Sequence, residues 1–350
     1  MTTETEEIIE SQAKIGTVEL TIEPDEVAVS QETLDFSVTQ LEGVGAMTEK
    51  KLTEFGVSSI IDICIRGAAE VAEITGVAKT KADNWVFKSQ KILEEAGLIR
   101  RTDMGTVELL EYQENYDTLP CKCDDIDKLI SGGVKPEAIY EVYGEFGSGK
   151  TQFCNSLTVE AIHDEKNVIW IDCEDTFRPQ RIIEILKARE YIEDREEALP
   201  LLERISYYYT PNTEQLMGTI NSLSPILAEK KPRVIVLDGA VGQFREEFLG
   251  RGTLAARQNQ IARLMTHLKN ISFYFRTTII FTNQVQSDPA VMFGDPIKPI
   301  GGNIVGHAST YRIYFKKAGK KRIARMVDSP EHPQADAEFL LNNKGVDNLE

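Results

Sequence analysis

The sequence has 350 residues, 41% hydrophobic and 27% charged, which is enough for a sizeable core in more than one domain. No apolar run nears the ~18 residues that span a bilayer, and the acidic start MTTETEEIIESQ lacks a leader pattern, so a soluble, cytoplasmic protein with no membrane attachment is expected. The net charge of −17 excludes a surface that binds polyanions all over, so nucleic acid must be held by locally basic loops.

Residues 1–35 are rich in Glu and Thr, have weak periodicity, and read as an acidic mobile tail. At Phe36 the texture changes. VTQLEGVGAMTEKKLTEFGVSSIIDIC has helical apolar spacing broken at Gly43-Val44-Gly45, and EVAEITGVAKTKADNWVFKSQKIL repeats the scheme around Gly76-Val77. Two helix-turn-helix units predict a compact all-α bundle over 36–98. The first unit resembles a helix-hairpin-helix motif, in which hairpin N–H groups and a helix N-terminus receive a DNA phosphate. Lys50, Lys51, Lys79 and Lys81 lie near the two hairpins. A bundle with a purely structural role is the alternative. Residues 99–120 are largely polar and read as a linker. The five scattered cysteines, with CKC at 121–123 lacking a second pair, suggest reduced thiols rather than a metal knuckle.

From 121 to 350 strands and helices alternate, predicting an α/β core with a mainly parallel sheet. Candidate strands are VIWID (168–172), ISYYY (205–209), RVIVLD (233–238) and TTIIFTN (277–283), with a helix over 254–269. TYRIYFKKA, KRIARMVDS and AEFLLNN follow with short turns and are expected to extend the sheet antiparallel.

YEVYGEFGSGKTQFCNSL carries a P-loop: Gly144, four residues, then Gly149-Lys150-Thr151, between a strand and a helix. The loop, Gly144, Glu145, Phe146, Gly147, Ser148, Gly149, and the residues after it, Lys150, Thr151 and Gln152, are the expected nucleotide cradle. Backbone N–H groups would take the β- and γ-phosphates, Lys150 would supply a point charge, and the Thr151 hydroxyl would ligate Mg²⁺. Asp238, ending an apolar strand, fits the second carboxylate that orients Mg²⁺. VIWIDCEDTF offers Asp172, Glu174 and Asp175 at a strand end expected beside the P-loop strand. Glu174 is the best candidate to deprotonate water, whereas capping the next helix suits Asp175 better.

GEFGSGKTQ, IDCEDTFRPQRI, FREEFLGRGTLAARQ, TNQV, FGDPIKPIGGNIVGHASTYRIYF and RIARMVDSP stand in the order and spacing of archaeal RadA recombinases, the RecA-family strand-exchange ATPases. The resemblance runs from about residue 125 to 346. It implies a RecA-like P-loop ATPase core with a mostly parallel twisted sheet behind a small all-α helix-hairpin-helix domain. It further implies ATP and Mg²⁺ as cofactors, with a monovalent cation such as K⁺ beside them. Partners would be single- and double-stranded DNA, further copies in a helical filament (or in rings without DNA), and recombination mediators. Activities would be homologous pairing, strand exchange and DNA-stimulated hydrolysis at the nucleoid.

Carried over by motif, Arg181 would stack on adenine, Gln284 would sense the γ-phosphate, and His307 would approach that region. Asp328 and Pro330 would cap the nucleotide of a neighbouring subunit. FREEFLGRGTLAAR would be a first DNA loop with Arg245, Arg251 and Arg257 on phosphates. QSDPAVMFGDPIKPIGGN would be a second, closing on Gly301 and Gly302. This chain departs from the family pattern at Gly239, where a hydroxyl residue is usual. It also departs at PCKC (120–123) and in lacking a clear Phe-x-x-Ala in the 99–120 polymerisation segment, where Met104–Val107 is nearest. A regulatory paralogue and a hexameric helicase are the rival readings.

Overall fold

The computed structural model describes residues 36–248, 250–287 and 297–349. The expected tail at 1–35 and residues 288–296 of the expected second DNA loop lie outside the described residues. The chain divides into two compact units, one ending at Ala96 and one beginning at Gly97.

The first unit holds helices Ala46–Glu54, Ile60–Thr75 and Lys79–Glu95. Leu41, Leu52, Val57, Ile60, Ile63, Val71, Trp85 and Leu93 are its buried apolar centre. Ser59 and Asp62 close a reciprocal capping box at the start of the second helix. Gly76, in the left-handed region, ends it. One expectation needs correction: ahead of Gly43 there is only a 3₁₀ turn, Val38–Gln40, so the better formed helix pair is the second one, around Gly76. Two of the lysines are engaged within the bundle. Lys81 donates to the Gly43 carbonyl at 3.3 Å and Lys51 to the Thr75 carbonyl at 2.9 Å.

The second unit is the α/β core. Its strands are β1 (Ile139–Gly144), β2 (Val168–Asp172), β3 (Ile205–Tyr209), β4 (Val234–Asp238), β5 (Thr278–Asn283), β6 (Val285–Ser287), β7 (Ile297–Pro299), β8 (Tyr311–Ala318), β9 (Lys321–Asp328), β10 (Asp336–Asn342) and β11 (Gly345–Asp347). Nine of them form one sheet in the order β11-β10-β9-β8-β1-β5-β4-β2-β3, and β6 pairs with β7 in a separate ribbon. The pairs from β8 through β3 are parallel, and β8 to β11 run antiparallel as a meander. β1, β2, β4 and β5 are buried along their whole length, as strands covered by helices on both faces must be. That is why they read as mainly apolar runs without period-2 alternation.

The order corrects one expectation. β2 is not beside β1; β5 and β4 intervene. Residues 99–120 are not a bare linker either. They contain helix Thr106–Glu114, and Tyr112 and Tyr116 both donate to Glu137 of the core. Among the described residues no helix is long and apolar enough to cross a membrane.

Candidate active site

The sheet register brings the candidate residues to one edge. Gly144 ends β1, Asp238 stands opposite Asp172 at the ends of β4 and β2, and Asn283 stands opposite Tyr143. This C-terminal edge of parallel strands is where open α/β sheets hold ligands.

The P-loop connects β1 to helix Lys150–His163. Gly144 is required by close approach: a Cβ there would lie 2.1 Å from the Phe315 carbonyl oxygen of β8. In this structure Lys150 Nζ donates to the carbonyls of Gly144 (2.9 Å) and Glu145 (3.1 Å), bracing the loop across its mouth. Burial holds the Lys150 pKa below its ordinary value, partly offset by Glu174 and Asp238. Ser148 is fully buried with its hydroxyl unpartnered among the described residues, while Phe146 at the loop tip is 94% exposed.

Asp238 collects three hydroxyls. Thr151 donates to its Oδ2 at 2.9 Å, Thr176 to the same oxygen at 3.0 Å, and Thr282 to Oδ1 at 2.5 Å. Burial pushes the Asp238 pKa above the usual carboxylate value despite these bonds. Such a hard-oxygen set, a hydroxyl against a carboxylate at a helix N-terminus, fits Mg²⁺ held with a nucleotide triphosphate. Thr176 and Thr282 were not singled out from the sequence; the only signal was a hydroxyl residue near each of two strand ends.

The three acids after β2 separate cleanly. Asp172 is buried and organises the turn, accepting from the backbone N–H of Glu174 (3.1 Å), Thr176 (3.2 Å) and Phe177 (2.9 Å). Asp175 is exposed and 3.4 Å from Arg178. Glu174 is exposed and lies over Gly239, and Gln284 Nε2 donates to its Oε1 at 2.9 Å. Two residues expected at the γ-phosphate are therefore brought together, from β2 and β5.

Arg181 donates to Gln152 Oε1 at 2.9 Å and to the Asn342 carbonyl at 2.6 Å, fixing its guanidinium beside the P-loop helix. His307 is exposed on helix Gly302–Ala308. Gly301 and Gly302, both at positive φ, open that helix. The preceding Ile300 is stitched to the edge by two bonds, its N–H to the Gln284 carbonyl (3.1 Å) and its carbonyl to Asn283 Nδ2 (2.7 Å). Asp328 and Pro330 are exposed and are not brought to this P-loop. In the register Gly144 faces Phe315, which faces Ala324, whereas Asp328 faces Arg312 at the level of Glu141. Four residues of β9 place it ~13 Å back along the sheet.

The first DNA segment is less loop-like than its sequence suggests. Arg245 is exposed in the last turn of helix Ala240–Glu247, Arg251 opens a 3₁₀ turn (Arg251–Thr253), and Arg257 sits in the first turns of helix Leu254–Tyr274.

A Rad51 family model matches residues 117–349. A DNA repair and recombination protein RadA of Cenarchaeum symbiosum is 38% identical over 323 residues, covering 90% of this chain and 80% of that protein. A DNA repair and recombination protein RadA of Methanoculleus marisnigri is 35% identical over 324 residues, 89% of this chain and 98% of that protein. Matched through its core by that model and along most of its length by both relatives, the chain belongs to the Rad51 family, as an archaeal RadA-type recombinase.

Proposed function

We propose that this chain is a DNA-dependent ATPase that assembles on single-stranded DNA and carries out homologous pairing and strand exchange in DNA repair and recombination. The observation that carries the reading is the Glu174–Gln284 contact at the P-loop edge. Gln284 immediately precedes β6 of the ribbon that flanks the second DNA segment, so one residue links the hydrolytic carboxylate to the chain that meets DNA.

Lys150 moves from the loop carbonyls to the β- and γ-phosphates when ATP enters, which returns a favourable partner to a buried ammonium. The P-loop N–H groups, from Phe146 to Thr151, orient the phosphates, and Arg181 with Gln152 lines the base side. Glu174 takes the proton of the attacking water, and Gln284 holds its Oε1 in place. Thr151 and Asp238 would hold Mg²⁺, which neutralises charge developing on the phosphates. A monovalent cation such as K⁺ is part of the same proposal, tested by comparing turnover in K⁺ and Na⁺ salts. Asp328 and Pro330, remote from their own P-loop, serve a neighbour's nucleotide in a filament. Arg245, Arg251 and Arg257, with the Gly301-Gly302 step, hold DNA. The helical bundle adds a second DNA contact, and recombination mediators act on this assembly.

Electron microscopy with ATP and single-stranded DNA tests the assembly: helical filaments are expected, and isolated rings or monomers would overturn it in favour of a helicase or a regulatory paralogue. Hydrolysis tests the site. Lys150→Ala should abolish it, and Glu174→Gln should keep nucleotide binding while cutting turnover by roughly two orders of magnitude or more. Normal turnover by Glu174→Gln would remove Glu174 from the chemistry.

A further inference from the structure

Of the three neighbouring acids only Glu174 lies over Gly239 and meets Gln284, and the sheet alone does not explain why. The explanation lies in helix Ala240–Glu247. Gly239, its N-cap, has φ +91°, and a Cβ there would lie 2.5 Å from Glu174 Cγ and 2.7 Å from its Oε1. The carboxylate therefore rests where a side chain of residue 239 would be. One turn further on, the buried Gln243 amide donates to the carbonyl of Cys173, the residue before Glu174, at 3.2 Å, and to the Thr210 carbonyl. Cys173 is in turn tied to β4, its N–H donating to the Asp238 carbonyl at 2.9 Å. The far end of the helix is anchored as well, with Glu247 accepting from the Thr213 N–H at 2.7 Å. Between these anchors the same helix exposes Arg245.

We propose that Gly239 and Gln243 are positioning residues for Glu174, and that helix Ala240–Glu247 couples DNA contact at Arg245 to the placement of that carboxylate. The inference rests on the reading of Glu174 as the water-activating group. Because the helix is short and pinned at Gly239, Gln243 and Glu247, a displacement at Arg245 reaches Cys173 and Glu174 through two contacts rather than through a flexible loop. Misplacing a catalytic group by an ångström costs on the order of 100-fold in rate.

Two experiments test it. Gln243→Leu keeps the bulk and removes the donor. DNA-stimulated kcat should fall by about 10- to 100-fold, while KM for ATP and the affinity for single-stranded DNA hold. Full stimulated turnover, or a parallel loss of ATP affinity, would overturn the coupling. The Gly239 contact is read without ATP, from melting temperatures of Gly239→Ala in the native background and in Glu174→Ala. Strain from positive φ is present in both backgrounds, but the collision with Glu174 only in the first. A larger loss in the native background supports the contact. An equal loss, including failure to fold in both, overturns it. If Glu174→Gln hydrolyses ATP normally, the role of Glu174 falls while the melting comparison still stands.

Discussion

The Thr151 hydroxyl donates to Oδ2 of Asp238 at 2.9 Å, joining the first turn of the P-loop helix to the end of β4. The two groups that would hold Mg²⁺ are thus already in register, and Asp238 is buried with its pKa held up mainly by that burial. Asp238→Asn keeps the shape but removes the charge. MgATP affinity should drop by roughly 1–3 kcal/mol, on the order of a lost hydrogen bond to a charged group. The stability trend has a definite sign. A carboxyl whose folded pKa is raised is not penalised below its ordinary value of 3.8, and loses stability as pH climbs through the raised value. In metal-free buffer, the melting temperature of the native chain minus that of Asp238→Asn should therefore fall as pH rises from near 4 towards neutrality. A gap that widens with pH would show that the three hydroxyls, not burial, dominate.

A second buried carboxylate lies in the middle of the sheet. Glu141 of β1 is fully buried, accepts from Arg312 Nε of β8 at 2.6 Å and from Asn283 Nδ2 of β5 at 2.7 Å. Burial raises its pKa against the pull of Arg312. Removing one partner of such a pair leaves an uncompensated charge, so Arg312→Met should destabilise by ~3–5 kcal/mol. Adding Glu141→Gln to that variant should recover most of the loss, since the neutral amide oxygen still accepts from Asn283. Urea unfolding measures both; a double variant as weak as the single one would mean that Arg312 acts through packing alone.

Much of this arrangement is legible in the sequence because it is local. The P-loop spacing, the apolar run ending in Asp238 and the DCED turn each lie within a few residues, and their strands appear where the β-rich runs predicted them. Strand order is not local. Nothing in VIWID says that β5 and β4 stand between it and β1, so Glu174 was expected from the wrong neighbour. The closure of the hydroxyl ring around Asp238 by Thr176 and Thr282 is hidden for the same reason: they join Thr151 only after the four crossovers from β1 to β5. Arg245 falls in a segment that reads as a loop, punctuated by Gly250 and Gly252, although helix Ala240–Glu247 extends past it; Arg257 lies in the helix expected over 254–269, observed as Leu254–Tyr274.

The register of β9 leads to a prediction about assembly. Asp328 faces Arg312 at the Glu141 level, while the P-loop begins at the Phe315 level, so Asp328 stands back from the P-loop of its own chain. If Asp328 and Pro330 complete a neighbour's site, ATPase activity per protomer should rise with protein concentration and with added single-stranded DNA. Asp328→Ala should flatten that rise without changing ATP binding to dilute protein. Specific activity independent of concentration across a wide dilution series would count against a shared site.

DNA binding has to succeed on a chain with net charge −17, which repels a polyanion at long range. Affinity should therefore depend on a few local cations. Arg245 is exposed at a helix end, and Arg251 stands between Gly250 and Gly252, whose backbones can approach a phosphate closely. Changing both to Ala should weaken binding to single strands of any sequence, because phosphate contacts carry no base information. The plot of log affinity against log salt should become shallower by about one to two, at ~0.7 per lost contact. ATP binding at the P-loop should be untouched, while DNA-stimulated hydrolysis falls, since the helix bearing Arg245 would no longer be engaged. Unchanged affinity and salt slope in the double variant would place the DNA path elsewhere on the molecule, with these arginines as ordinary surface residues.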